Sequence, residues 1–229
     1  MQRTFVIGDI HGAYLALEQC LKKSHFNFDE DRLICLGDVS DSWPQTKEVV
    51  KELLKIKNLV LIQGNHDYWS LQWGLSGIVD NQWLDQGGGA TFESYNGKMS
   101  KKHLKFFKSA LPYFEENDRL FVHGGFDPAK SIAKQKLAVL AWDRSLAQNA
   151  MKAVKNKSRK FLTDYAEVYL GHTPIIRLGY KKPICGGGIW LMDTGAGWSG
   201  KLSMMNVETK DLFQSDYVFK LYPKYKGRI

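Results

Sequence analysis

Several short apolar runs in this 229-residue chain end at residues that can bind a metal. Asp9 and His11 follow Gly8, Asp38 follows Gly37, and Asn65 with His66 follows Gly64. His123 comes directly after Phe121-Val122, and His172 comes after Tyr169-Leu170-Gly171. Singly, each has a plainer use. An Asp after a strand usually caps a helix, Gly-Asn and Gly-Asp are turn dipeptides, and a lone His is usually structural. Of the six His, only His25 and His103 lie elsewhere, and those two read as ordinary surface or helix residues. One shared site accounts for five such run ends better than five separate accidents. Two Asp, one Asn and three His make a mixed oxygen and nitrogen set, suited to Mn, Fe or Zn rather than to a thiolate site. That set is large enough for two ions with Asp38 as the bridge. Two ions roughly 3.5–4 Å apart can hold a hydroxide and stabilise attacking and leaving oxygens at phosphorus. The chemistry predicted is hydrolysis of a phosphate ester or anhydride by activated water, without a covalent enzyme intermediate.

The elements that must position these residues alternate along the first third. Arg3–Gly8 reads as a strand, Ala13–Lys23 as a helix, Leu33–Gly37 as a strand, Gln45–Lys57 as a helix and Leu59–Gln63 as a strand. The alternation predicts a βαβαβ start with parallel pairing. Residues 68–100, with Trp69, Trp73, Trp83 and the run Gly87-Gly88-Gly89, read as an irregular cap, followed by a helix at Lys101–Ala110. Leu111–Glu115 and Arg119–Val122 read as a hairpin turning at Asn117-Asp118, with helices from Ser131 to about Lys157 and a strand at Glu167–Leu170. The tail from Gly188 to Phe219 reads as strands separated by turns. Sheet at both ends with helices outside predicts a layered α/β sandwich in one domain, 1–229, because no linker divides the chain.

Composition narrows the function. With 44% hydrophobic and 24% charged residues the chain is globular. No run approaches the roughly 18 apolar residues of a membrane span, and the first residues lack the pattern of a signal peptide. Three scattered Cys predict buried thiols in a reducing, cytoplasmic setting rather than a disulfide framework. The net charge of +8 favours anionic partners. The basic run from Lys152 to Lys160 has no interleaved aromatics and reads as a solvated helix face, so a nucleic-acid partner is not expected.

Five ordered motifs, Gly8-Asp9-Ile10-His11-Gly12, Gly37-Asp38-Val39-Ser40-Asp41, Gly64-Asn65-His66-Asp67, Val122-His123-Gly124-Gly125 and Gly171-His172-Thr173, resemble the calcineurin-like metallophosphoesterases. The order is similar to the phosphoprotein phosphatase branch, which includes bacterial and phage Ser/Thr phosphatases and symmetrical dinucleoside tetraphosphatases. The segment Asp193-Thr194-Gly195-Ala196 is similar to that branch too. Pro174 stands where nuclease-like relatives carry a further His. The resemblance implies a four-layered αββα sandwich and two divalent ions, Mn first, with Fe or Zn as alternatives. It implies that Asp9 and His11 bind one ion, that Asp38 bridges, and that Asn65, His123 and His172 bind the other. His66 would then sit beside the leaving oxygen as a proton donor or charge stabiliser, oriented by Asp41, whose alternative use is to cap the helix near Gln45. Arg144, in Ala141-Trp142-Asp143-Arg144, resembles a phosphate-contacting Arg, and Asn65 would also face substrate. One departure stands out: the family's Asp-Arg-Gly is Asp41-Ser42-Trp43 here, so a phosphate-gripping guanidinium is missing.

The leading expectation is a phosphatase acting on phosphomonoesters, phosphorylated Ser or Thr in a protein foremost, or on a small phosphorylated substrate. A dinucleoside polyphosphate hydrolase is the alternative, with the Trp-rich segment available to stack on a base. A weakly active or inactive protein that binds a phosphorylated partner is a third. The sequence leaves the oligomeric state open.

Overall fold

Among the described residues, the apolar runs become ten strands in two five-stranded sheets. The structure is a computed structural model that describes residues 2–225 and 227. The first sheet has the order β10-β9-β1-β2-β3. Its members are β1 (Thr4–Ile7), β2 (Arg32–Cys35), β3 (Asn58–Leu61), β9 (Ser203–Asn206) and β10 (Leu212–Gln214). The second has the order β4-β5-β6-β8-β7, from β4 (Phe114–Glu116), β5 (Arg119–Val122), β6 (Glu167–Leu170), β7 (Ile184–Gly186) and β8 (Ile189–Leu191). β1, β2 and β3 pair in parallel, as do β5, β6 and β8. The remaining strands are antiparallel and lie at or toward the sheet edges.

Alternation along the strands creates the layers, because successive side chains leave opposite faces of a strand. Phe5 and Ile7 of β1 and Leu33 and Cys35 of β2 face helices α1 (Tyr14–Lys23), α2 (Thr46–Leu53), α6 (Lys101–Lys108) and α9 (Val218–Leu221). Leu120 and Val122 of β5 and Val168 and Leu170 of β6 face α7 (Leu137–Trp142) and α8 (Ser145–Lys155). The intervening residues, Val6, Ile34, Phe121 and Tyr169 among them, meet between the sheets. The result is the four-layered αββα sandwich that the motif order implied. Both faces of each central strand are covered, which is why these runs are apolar throughout rather than alternating.

In the middle layer Phe121 lies parallel to Tyr169, with ring centroids 4.8 Å apart and planes 9° apart. Phe121→Ala should destabilise the fold by about 3–5 kcal/mol, read as a lower urea midpoint with an unchanged slope.

Four expectations need correction. Residues 68–100 are mostly helical: α3 (Asn65–Ser76), α4 (Asn81–Trp83), a π-turn at Leu84–Gly88 and α5 (Gly89–Ser94). The glycines punctuate helices here: Gly77 ends α3 with φ 73°, and Gly87 kinks the π-turn with φ 97°. His103 sits on a helix as expected, but it is buried and bonded to the Tyr95 hydroxyl at 2.7 Å. Cys20 and Cys35 are buried, whereas Cys185 is exposed because β7 is an edge strand with one uncovered face. Finally, β7 itself was not predicted. No helix of the described residues is long and apolar enough to cross a membrane.

Candidate metal centre

The chemistry-bearing residues leave the C-terminal ends of the parallel strands of both sheets. Asp9 follows β1, Asp38 follows β2, Asn65 opens α3 after β3, His123 follows β5 and His172 follows β6. The loops that carry them bind one another. The Asp38 carbonyl accepts from the N–H groups of Ile10 and His11 at 3.0 and 2.8 Å. The His172 N–H donates to the Asp9 carboxylate, 3.0 Å from Oδ2. His11, Asp38 and His172 have φ of 52°, 49° and 62°, left-handed values that cost non-glycine residues about 1–3 kcal/mol each unless the surroundings hold them. A Cβ on Gly64 would lie 2.2 Å from Asp38 Oδ1, and one on Gly171 would lie 2.3 Å from Asp9 Oδ1. Glycine at these two positions lets backbone and carboxylate come that close.

All six proposed ligands are buried. Asp38 is central: its Oδ2 lies 3.8 Å from His11 Nε2 and 3.3 Å from His123 Nε2. Ligand atoms of Asp38, His123 and His172 fall within 4.8 Å of one another, as do those of His11, Asp38 and His66. Asn65 Oδ1 lies 3.1 Å from His123 Nε2. Asp9 is at the margin of the cluster, its Oδ2 4.0 Å from His11 Nε2.

The outer hydrogen bonds of three histidines suit this donor set to divalent cations. His11 Nδ1 faces the Ser40 carbonyl at 3.0 Å, His123 Nδ1 the Leu36 carbonyl at 2.7 Å and His172 Nε2 the Trp142 carbonyl at 3.1 Å. A carbonyl only accepts, so each of those nitrogens carries the proton. With an ion bound, the other ring nitrogen of each would present its lone pair, and backbone carbonyls orient metal-bound histidines in this way. Without one, His123 Nε2 faces Asn65 Oδ1 and the Asp38 carboxylate, which against the effect of burial holds that imidazole above its ordinary pKa. The carboxylates have the same need. Burial, then Asp193 and Asp38, push Asp9 well above the usual carboxylate range. Burial and Asp38 push Asp67 to about 7. Burial opposes charge on Asp38 as well, but His123, His66 and His11 pull its carboxyl well below the usual range. Burial also drives His172 down to about 3, which keeps it neutral and able to ligate.

His66 differs from the other three. Its Nδ1 lies 2.7 Å from Asp41 Oδ2, a carboxylate rather than a carbonyl. Its ring meets those of His11 and Trp69 edge-on, at 4.9 and 5.2 Å between centroids. Its backbone N–H, in the first turn of α3, donates to Asp38 Oδ1 at 2.9 Å, so the positive end of that helix faces the central carboxylate. Asp41 is fully buried and does not cap α2, whose N-terminus has no side-chain cap.

A cavity of about 460 Å³ opens over the cluster, lined by His11, Asp38, Asn65, His66 and His172 and also by Arg144, Arg177, Asp193 and Trp198. Ser42 is not part of that lining. Its neighbour Trp43 is fully buried, donates from Nε1 to the Ala196 carbonyl at 2.7 Å and stacks on Tyr222. Asp67, Asp193, Arg177 and Trp198 were given no role in the sequence reading. Asp193 follows β8 as Asp9 follows β1, and that signal could have found it. Arg177 and Trp198 carry no local signal, because only the tertiary fold brings them to the cavity.

Two sheets between helix layers, with buried carboxylates and oriented imidazoles at the strand ends, define a metal-dependent hydrolase. A family model of calcineurin-like phosphoesterases matches residues 2–200, and the chain belongs to that family. The chain is 25% identical to a symmetrical bis(5'-nucleosyl)-tetraphosphatase of Neisseria gonorrhoeae, over 92% of this chain and 94% of the relative. It is 41% identical to a protein of the same name in Buchnera aphidicola subsp. Acyrthosiphon pisum, over 60% of this chain and 49% of the relative. Among solved structures, a candidate diadenosine tetraphosphatase matches with a TM-score of 0.70 at 16% identity, over 93% of this chain and 92% of the other. A cold-active protein-tyrosine phosphatase of Shewanella matches at 0.61 and 16%, over 93% and 77%.

Proposed function

We propose that this phosphoesterase hydrolyses a dinucleoside polyphosphate, using two divalent ions, Mn²⁺ first among Mn, Fe and Zn. Asp9, His11 and Asp38 would hold one ion, and Asp38, Asn65, His123 and His172 the other. Such ions, when bound, supply Lewis acidity and an activated water for attack at phosphorus. The chain's own groups do the rest. Arg144 binds the phosphate under attack, and Asn65, facing the cavity, contacts it as well. His66, oriented by Asp41, gives a proton to the leaving oxygen.

One observation carries the choice of substrate. Arg144 and Arg177 both line the cavity beside Trp198, and Arg177 lies 3.8 Å over the Trp198 ring. Among the described residues neither Arg has an ion-pair partner. Two guanidinium groups suit a chain of phosphates better than a single one, and they compensate for the serine at position 42. The names of the relatives are consistent with this substrate class. A phosphomonoester, including phosphorylated Ser or Thr in a protein, is the second reading. It is favoured by the open rim, where Leu178 is 56% exposed and a side chain on a protein could enter.

Turnover of diadenosine tetraphosphate, a Ser/Thr phosphopeptide and p-nitrophenyl phosphate, measured side by side with Mn²⁺, tests the reading. The expected result is the highest kcat/KM on diadenosine tetraphosphate, with two molecules of ADP as product. Efficient phosphopeptide hydrolysis without turnover of the dinucleotide would transfer the assignment to the second reading.

A further inference from the structure

Asp41 and Ser42 are consecutive non-glycine residues in the left-handed region, with φ of 74° and 68°. Side-chain-bearing residues keep that conformation only where their surroundings over-determine it. Three hydrogen bonds from the cap segment 80–94 hold this pair. The Asp41 N–H donates to Thr91 Oγ1 at 2.8 Å, and the Ser42 N–H donates to the Gly87 carbonyl at 3.1 Å. Trp83 Nε1–H donates to Asp41 Oδ2 at 2.9 Å. That oxygen is the one His66 Nδ1 approaches to 2.7 Å.

Trp83 is itself immobilised. It is 1% exposed and stacks on Trp73 with centroids 5.4 Å apart. Gly88 lies so close beneath the indole that a Cβ there would come within 2.3 Å of it. Thr91 is equally fixed, fully buried with its hydroxyl 2.9 Å from that of Thr46.

We propose that the cap segment 80–94 is a fixed brace for the acid–base pair rather than a lid, and that Trp83 is a positioning residue acting through Asp41. A carboxylate held by one donor can swing about its Cβ–Cγ bond. The indole N–H and the imidazole N–H on Oδ2, with the Ser70 hydroxyl 3.5 Å from Oδ1 as a longer third contact, fix that rotation, and with it the plane of His66. Opening the cap would break all three bonds and release Asp41 from its strained turn, so the cap stays seated while substrate enters from the Arg177 side. The inference rests on the proton-donor role of His66 proposed above.

Its test compares an aryl phosphate, whose leaving group needs little proton assistance, with an alkyl phosphate such as β-glycerophosphate, whose leaving group needs much. Trp83→Phe keeps an aromatic ring beside Trp73 but deletes the N–H together with one ring of the buried indole, so the near-isosteric Thr91→Val is the companion variant that separates a lost bond from lost volume. Trp83→Phe should lower kcat on the alkyl phosphate roughly 5- to 10-fold, change the aryl rate less than about twofold, and leave KM and metal content unchanged. Thr91→Val should show the same asymmetry, and Thr91→Ser, which keeps the hydroxyl, should restore the alkyl rate. Equal losses on both substrates, or no loss on either, would overturn the brace. His66→Asn run in parallel separates the two levels. If that variant shows no leaving-group dependence, the proton-donor reading fails. If it does and Trp83→Phe does not, only the brace fails.

Discussion

Asp38→Asn should strip the protein of metal and lower kcat/KM on any phosphoester by on the order of 10³-fold or more. The side chain is isosteric, so the loss is one of charge. Asp38 Oδ1 accepts the His66 backbone N–H, and an amide oxygen can still do that. Oδ2 lies between His11 and His123, and an uncharged amide there offers neither ion a shared anionic ligand. Element analysis after gel filtration should find the metal content reduced from about two per chain to less than one. Thermal unfolding in EDTA is the control. Equal melting of wild-type and variant apo-proteins would assign the loss to the centre rather than to the fold. Wild-type metal content in Asp38→Asn would refute the bridging role.

His66→Asn should behave differently. Metal content stays at the wild-type level, and kcat falls about 10²–10⁴-fold, the usual contribution of a positioned acid. The fall should be steepest for substrates with poor leaving groups. The geometry makes this a real test, because a ring nitrogen of His66 lies within 4.8 Å of ligand atoms of His11 and Asp38. Only the Asp41 contact, a carboxylate where the other three have carbonyls, argues for a proton-bearing role. If His66→Asn loses metal as Asp38→Asn does, His66 is a ligand and the source of the leaving-group proton must be sought elsewhere. If the two variants match in both metal and rate, neither assignment stands.

Much of this was legible in the chain because parallel α/β folds place their chemistry at strand ends. A run such as Thr4–Ile7, apolar on both faces, has to be central in a sheet, and polar residues directly after it have to emerge at one edge. Five such edges with ligand-type side chains implied convergence before any distance was known. The helical cap was less legible. Its glycines read as loop, since local signals cannot tell a glycine that ends a helix, such as Gly77, from one that admits a neighbouring ring, such as Gly88. Cys185 was misplaced for a related reason. Apolar neighbours predict burial, but whether β7 is an edge strand is a property of the sheet.

The order and residue types of the motifs settled the fold class and implied the donor set, because those depend on local pattern and side-chain chemistry. Three things were left to the tertiary structure: which ring nitrogen of each histidine faces the cluster, what holds Asp41 against His66, and which cations line the cavity. Each depends on contacts between segments far apart in the chain, such as Leu36 with His123, Trp83 with Asp41 and Arg177 with Trp198. Local composition and spacing carry no record of these pairings, since they exist only once the layers have closed on one another.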